Sequence, residues 1–178
     1  MTDITSHTHA LSINPATGER IGHYTYETDA LMDAALGRAA AGFAGWRRTP
    51  LATRSALLVK LAGVLRDNAQ AMARMITLEM GKPAAQARGE VEKCAQLCEW
   101  YAENGPAMLA PEPTQVPDAK AHIEYRPLGP ILAVMPWNFP LWQVLRGAVP
   151  VVLALFPLLT GVPKAREHQN QSVSQRQM

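Results

Sequence analysis

The chain has little of what marks a secreted, a nucleic-acid-binding or a disordered protein. Its 178 residues include only two cysteines, Cys94 and Cys98, too few for a disulfide framework, so a reducing cytoplasm is the expected setting. Neither sign of charge dominates: the formal net charge is +2 and the basic residues are scattered, which leaves no case for a nucleic-acid partner. Charged residues make up 18% of the chain against 48% hydrophobic, which excludes wholesale disorder and permits a substantial core. Met1 to Ala10 has neither the basic start nor the apolar stretch of a secretory signal and is expected to be a disordered leader. The motifs Gly-x-Gly-x-x-Gly, Gly-x-x-x-x-Gly-Lys-Ser/Thr and His-Glu-x-x-His are absent. The uncharged run from Gly147 to Pro163 sits at the lower limit of a membrane span, roughly 17 residues, and holds Pro150, Pro157 and Pro163. It reads as a core helix, with a membrane-associated peptide as the alternative.

What is present alternates between strand and helix signals. Ile13 to Glu19 looks like a strand end followed by a Pro/Gly turn. Thr28-Asp29 has the chemistry of a helix start, and Thr49-Pro50 breaks that helix and opens the next. The second helix puts Leu58, Leu61, Leu65, Met72 and Ile76 on one face, with Arg54, Lys60, Arg66, Asp67 and Arg74 on others, and is expected to run unbroken to Gly81-Lys82-Pro83. Glu79 and Lys82 read as helix-end charges. A third helix is expected from about Ala84 to Glu103, with Ala87, Val91, Cys94, Cys98 and Tyr101 as its stripe, ended by Gly105-Pro106. Cys94 and Cys98 then read as buried core thiols, neither a nucleophile nor half of a metal site. Pro111 to Asp118 reads as a proline-rich connection and His122 to Arg126 as a strand. Ile131 to Met135 is a continuous apolar run, the pattern of a buried parallel strand, and Leu141 onward reads as a helix.

The loop between that strand and that helix, Pro136-Trp137-Asn138-Phe139-Pro140, sits where open α/β sheets bind ligands, beyond the carboxyl end of a strand. Asn138 stands just before a helix start, where a side-chain amide and free backbone N–H groups can face one oxygen. An aromatic plug with an Asn cap fits the same residues equally well.

The run from Tyr125 to Leu141 closely resembles the aldehyde dehydrogenase superfamily, most closely its bacterial NAD(P)-dependent succinate-semialdehyde dehydrogenases. Ile13 to Glu19 and Leu78-Glu79-Met80-Gly81-Lys82-Pro83 carry the same resemblance, in the family's order. It covers about Ile13 to Ala154 and implies an α/β fold: the N-terminal part of the aldehyde dehydrogenase fold, a helical segment plus the start of a Rossmann-like cofactor-binding domain. It further implies oxidation of an aldehyde to an acid with NAD or NADP. Asn138 would stabilise the oxyanion formed when a thiolate attacks the aldehyde, and Met135, Pro136 and Trp137 would line the cofactor cleft. Arg146, eight residues after Asn138, would hold a substrate carboxylate, that of succinate semialdehyde. A surface arginine in a helix ion pair is the alternative.

The resemblance stops near Ala154, where the family continues with Gly-Asn and a lysine-bearing strand and this chain has Leu155-Phe156-Pro157. The nucleophilic cysteine and general-base glutamate lie beyond that point in the family, so a truncated, inactive chain is expected, without an expectation that it holds the cofactor alone. Residues 11–154 form the partial family domain, with 121–126 as its oligomerisation strand, and 155–178 an unrelated, disordered tail. Intact relatives are expected to be homo-oligomers. A non-catalytic fragment that binds full-length subunits is the remaining alternative, because exposed strand edges recruit partners.

Overall fold

The computed structural model describes residues 9–117, 119–154 and 158–160. The chain opens with an antiparallel hairpin of β1 (His9–Ile13) and β2 (Arg20–Thr25), its register broken by a bulge between Ser12 and Ile13. The expected turn joins them. Asn14 Oδ1 accepts from the Ala16 N–H at 2.9 Å, and Gly18 takes φ +75°, where a side chain would be strained.

Helix α1 (Asp29–Trp46) starts where the sequence places it, with the Thr28 hydroxyl accepting from the Leu31 N–H at 3.3 Å. None of its residues is buried. The expected unbroken second helix is instead two, α2 (Leu51–Asp67) and α3 (Ala69–Met80). The break is at Asn68 (φ −102°, ψ 8°), whose side-chain amide donates to the Val64 carbonyl at 2.8 Å. That local bond competes with helix propagation. Gly81 ends α3 in the left-handed region at φ +74°.

Helix α4 (Ala84–Met108) runs past Gly105-Pro106, which were expected to end it. A proline this close to the C-terminus removes one hydrogen bond, and only Ala107 and Met108 of the helix follow it. Gly105 has a packing reason to be there: a Cβ on it would come within 2.0 Å of Leu153 Cδ2. The expected stripe is real, since Ala87, Val91, Cys94 and Cys98 are all buried.

The proline-rich connection is a strand. β3 (Glu112–Val116) pairs antiparallel with β4 (Ala119–Ile123), so the strand expected over His122 to Arg126 lies earlier and has a partner. Pro113 fits because each strand of a two-stranded sheet keeps an open edge. The apolar run gives β5 (Ile131–Ala133), followed by α5 (Pro140–Leu153) and by β6 (Leu158–Thr160), parallel to β5. The strand was expected to be buried and lacks cover: Ile131 is 37% and Leu132 66% exposed. A parallel strand is buried by layers on both faces, and here it has one strand neighbour and one helix. β6 also falls inside the stretch from 155 onward that was expected to be disordered, and His9 and Ala10 of the expected leader belong to β1. Residues 1–8 and 161–178 lie outside the described ones. The uncharged run from Gly147 enters α5, and no helix among the described residues is long and apolar enough to cross a membrane.

The core lies between helices. Leu58, Ala62 and Leu65 of α2, Ala73 and Ile76 of α3, the α4 stripe, and Val149 and Leu153 of α5 form one buried cluster. Arg54, read as lying on another face, shares this one. It is 6% exposed, donates through Nε to the Thr49 carbonyl at 3.1 Å, and through Nη1 to the Leu153 carbonyl. Trp46 Nε1 donates to the Val152 carbonyl at 3.0 Å. These two donors satisfy carbonyls that the end of α5 would otherwise leave unpaired, and the buried guanidinium also suits the negative end of the helix dipole.

Candidate active site

The candidate loop is built by the junction of β5 and α5. Pro140 opens the helix at its first position, where the missing N–H is harmless and the ring-fixed φ is already helical. The next two N–H groups, of Leu141 and Trp142, both donate to Glu90 Oε1 of α4 at 3.0 Å. These N–H groups were expected to stand free beside Asn138; a carboxylate occupies them. The side-chain amide of Asn138, exposed on the loop before them, is a donor these bonds leave unused.

Asn138 is exposed, as are Pro136 and Trp137, the latter at 77%. Trp137 is thus not packed inward, as the aromatic plug would have it, whereas the Phe139 ring does lie against the buried Lys82. Met135 is half-buried with its methyl against α5, where a Cβ on Gly147 would come within 2.6 Å of Met135 Cε. Met135, Pro136, Trp137 and Asn138 share the loop beyond the carboxyl end of a parallel strand. Arg146 is exposed on α5, and no hydrogen bond or ion pair joins it to Asn138 among the described residues.

Lys82 is not a solvated helix-end charge. Its side chain is 8% exposed and pairs with Glu90 Oε2, the Glu90 side chain being 2% exposed. Its ammonium also lies 3.7 Å from the centroid of the Phe139 ring. Lys93 Nζ sits 3.8 Å from the Trp142 ring, and these residues border a groove of about 320 Å³ whose walls also include Gln86 and Gly89. Glu79, in contrast, is exposed and accepts from Ser12 Oγ at 3.1 Å and Tyr24 OH at 3.5 Å, tying the first hairpin to α3. A Cβ on Gly81 would lie 3.1 Å from Pro15 Cγ. The three segments that carry the family resemblance thus meet around Gly81-Lys82.

Cys94 and Cys98 face the core of α4, and burial pushes their thiols up to about 12 and about 11, with neighbouring carboxylates adding to the shift. A thiol so protonated is a poor nucleophile at neutral pH. No group of three or more His, Cys, Asp or Glu side chains able to hold a metal occurs among the described residues. Reading the sequence missed Glu90, Lys82 and Arg54 as buried groups. The signal was present for two of them: Glu90 precedes Cys94 by four residues, and Arg54 precedes Leu58 by four, which puts each charge on an apolar stripe.

Residues 2–155 match the Aldehyde dehydrogenase family. The chain is 58% identical over 151 residues to the succinate semialdehyde dehydrogenase [NAD(P)+] Sad of Escherichia coli, covering 85% of this chain and 33% of that protein. It is 48% identical over 146 residues to succinate-semialdehyde dehydrogenase [NADP(+)] 1 of Mycobacterium tuberculosis, covering 80% and 32%. Among solved structures, it superposes on the succinic semialdehyde dehydrogenase of Streptococcus pyogenes in complex with NADP+ with a TM-score of 0.82, at 31% identity over 86% of this chain and 34% of the other. The chain spans about a third of the length of the curated relatives it matches.

Proposed function

The chain belongs to the aldehyde dehydrogenase family, and from that premise we propose that it carries the oxyanion-binding side of an aldehyde-oxidising site whose substrate is succinate semialdehyde and whose cofactor is NAD or NADP. The observation that carries this reading is Asn138, exposed at the carboxyl end of parallel β5 inside the family's strand–loop–helix segment. Its side-chain N–H donates to the carbonyl oxygen as negative charge develops there, the place where a fixed donor lowers a barrier most. Arg146 holds the far carboxylate of the substrate with its guanidinium, and the names of the relatives support that substrate.

NAD or NADP, when bound, accepts the hydride. Met135, Pro136 and Trp137 suit the edge of its cleft, offering an exposed indole and apolar surface. The N-terminus of α5 does not suit a pyrophosphate, the usual ligand of such a helix end, because Glu90 already fills it.

The 178-residue chain alone does not turn over, in this reading. Its two cysteines are both buried with raised thiols, so neither serves as nucleophile, and covalent aldehyde oxidation needs one. Incubating the purified chain with succinate semialdehyde and either nucleotide is expected to give no reduced nucleotide above a blank. Turnover above the blank overturns the reading. The open edges of the β3–β4 sheet favour a second role, binding intact family subunits in the cytoplasm through residues 121–126. Co-purification with such a subunit, lost when that hairpin is deleted, tests it.

A further inference from the structure

We infer that Glu90, held by Lys82, is the positioning residue of this site: it fixes the Trp137–Phe139 turn and so aims Asn138. The inference rests on the proposed role of Asn138 and adds residues from α4 and from the link between α3 and α4 to it. The two carboxylate oxygens of Glu90 divide the work. Oε1 accepts both the Leu141 and the Trp142 N–H at 3.0 Å, and Oε2 faces the Lys82 ammonium. The same ammonium stands 3.7 Å from the Phe139 ring, so one buried ion pair grips the residue directly after Asn138 and the two N–H groups that follow Pro140. On the other flank, Met135 is stopped against Gly147. Asn138 stands between these anchors.

Stability alone is a poor reason for such a pair. Exchanging a buried ion pair for apolar residues of similar volume is often neutral or favourable, whereas removing one partner is strongly unfavourable. What the charged pair supplies is direction: a carboxylate accepting two N–H groups locates a helix end more sharply than apolar contact does, and charge-assisted hydrogen bonds are roughly twice as strong as neutral ones.

The test uses the full chain labelled for amide NMR, with Glu90→Gln and with the double substitution Glu90→Gln, Lys82→Met, which removes both charges at nearly constant volume. In either variant the Leu141 and Trp142 amides are expected to exchange about tenfold faster, as a neutral acceptor replaces a charged one, and the Trp137 indole to gain mobility. The amides of Ala62 and Ala95, deep in α2 and α4, keep their exchange rates in the double variant. Unchanged rates at Leu141 and Trp142 in the double variant overturn the inference. So does an equal loss at Ala62 and Ala95, which would make the pair a general structural support. If Glu90→Gln does not fold, the double variant alone decides. A separate reading distinguishes the role of Asn138: if succinate semialdehyde leaves the Asn138 side-chain amide resonance unmoved while the amide exchange responds as expected, the aldehyde site fails and the positioning stands.

Discussion

The helical half of the molecule and its three small sheets differ in what holds them. Every buried apolar side chain among the described residues belongs to α2, α3, α4 or α5, and every strand residue whose burial is described is exposed or half-buried. The hairpins and the β5–β6 pair are two-stranded, and isolated two-stranded sheets are marginal in water. Side-chain identity does not explain the contrast, since Leu132 and Leu153 are the same residue with opposite surroundings, 66% and 2% exposed. Stability is carried by the helices, and the candidate loop is borrowed from them through α5.

Three measurements break or sharpen this contrast. Leu153→Ala is expected to lower stability by about 2–5 kcal/mol in denaturant unfolding, because it empties the space over Gly105 at the centre of the core. A loss below 1 kcal/mol would mean that α5 is not part of the cooperative unit. A second effect is alkaline. Cys94 and Cys98 stay protonated in the folded chain up to about 12 and about 11, while in the unfolded chain they ionise near 9. Above pH 9 the unfolded state therefore binds fewer protons, and stability falls as pH rises, on the order of 1 kcal/mol per thiol per pH unit. Thermal melts between pH 8 and 11 check the sign, and a double Cys→Ala variant should flatten the slope. The smallest effect belongs to the strand: Leu132→Ala should change stability by less than about 0.5 kcal/mol. A larger loss would show that β5 has cover beyond the helix and strand seen here.

How much of this was legible in the residues follows the same division. The start of α1 at Thr28 and the α4 stripe were readable, because a capping hydroxyl and a 3.6-residue period are local facts. The break at Asn68 was not, since the apolar period continues across it and the competing bond to Val64 is a matter of rotamer. Pro113 hid β3, because proline argues against a strand until the strand is known to be an edge. The apolar run at Ile131 was rightly read as parallel and wrongly as buried, since burial depends on layers that the run itself does not encode. At the candidate site, the position of Asn138 between a strand and a helix start was legible from the local pattern. Glu90 and Arg54 were not, because charged residues were assigned to solvent by type, although their spacing put them with the core.

Helix α5 is fastened at both ends by other elements: a carboxylate from α4 at its start, an indole from α1 and a guanidinium from α2 at its finish. A 14-residue helix is a rod of about 21 Å. Rods pinned at their tips pass on tilt with little bending, so slack in the mooring at Arg54 would let the helix tilt about its start at Glu90. The angle at which the candidate turn meets the helical core is in that sense shared between both ends of the helix, the near one held by Glu90 and the far one by Trp46 and Arg54.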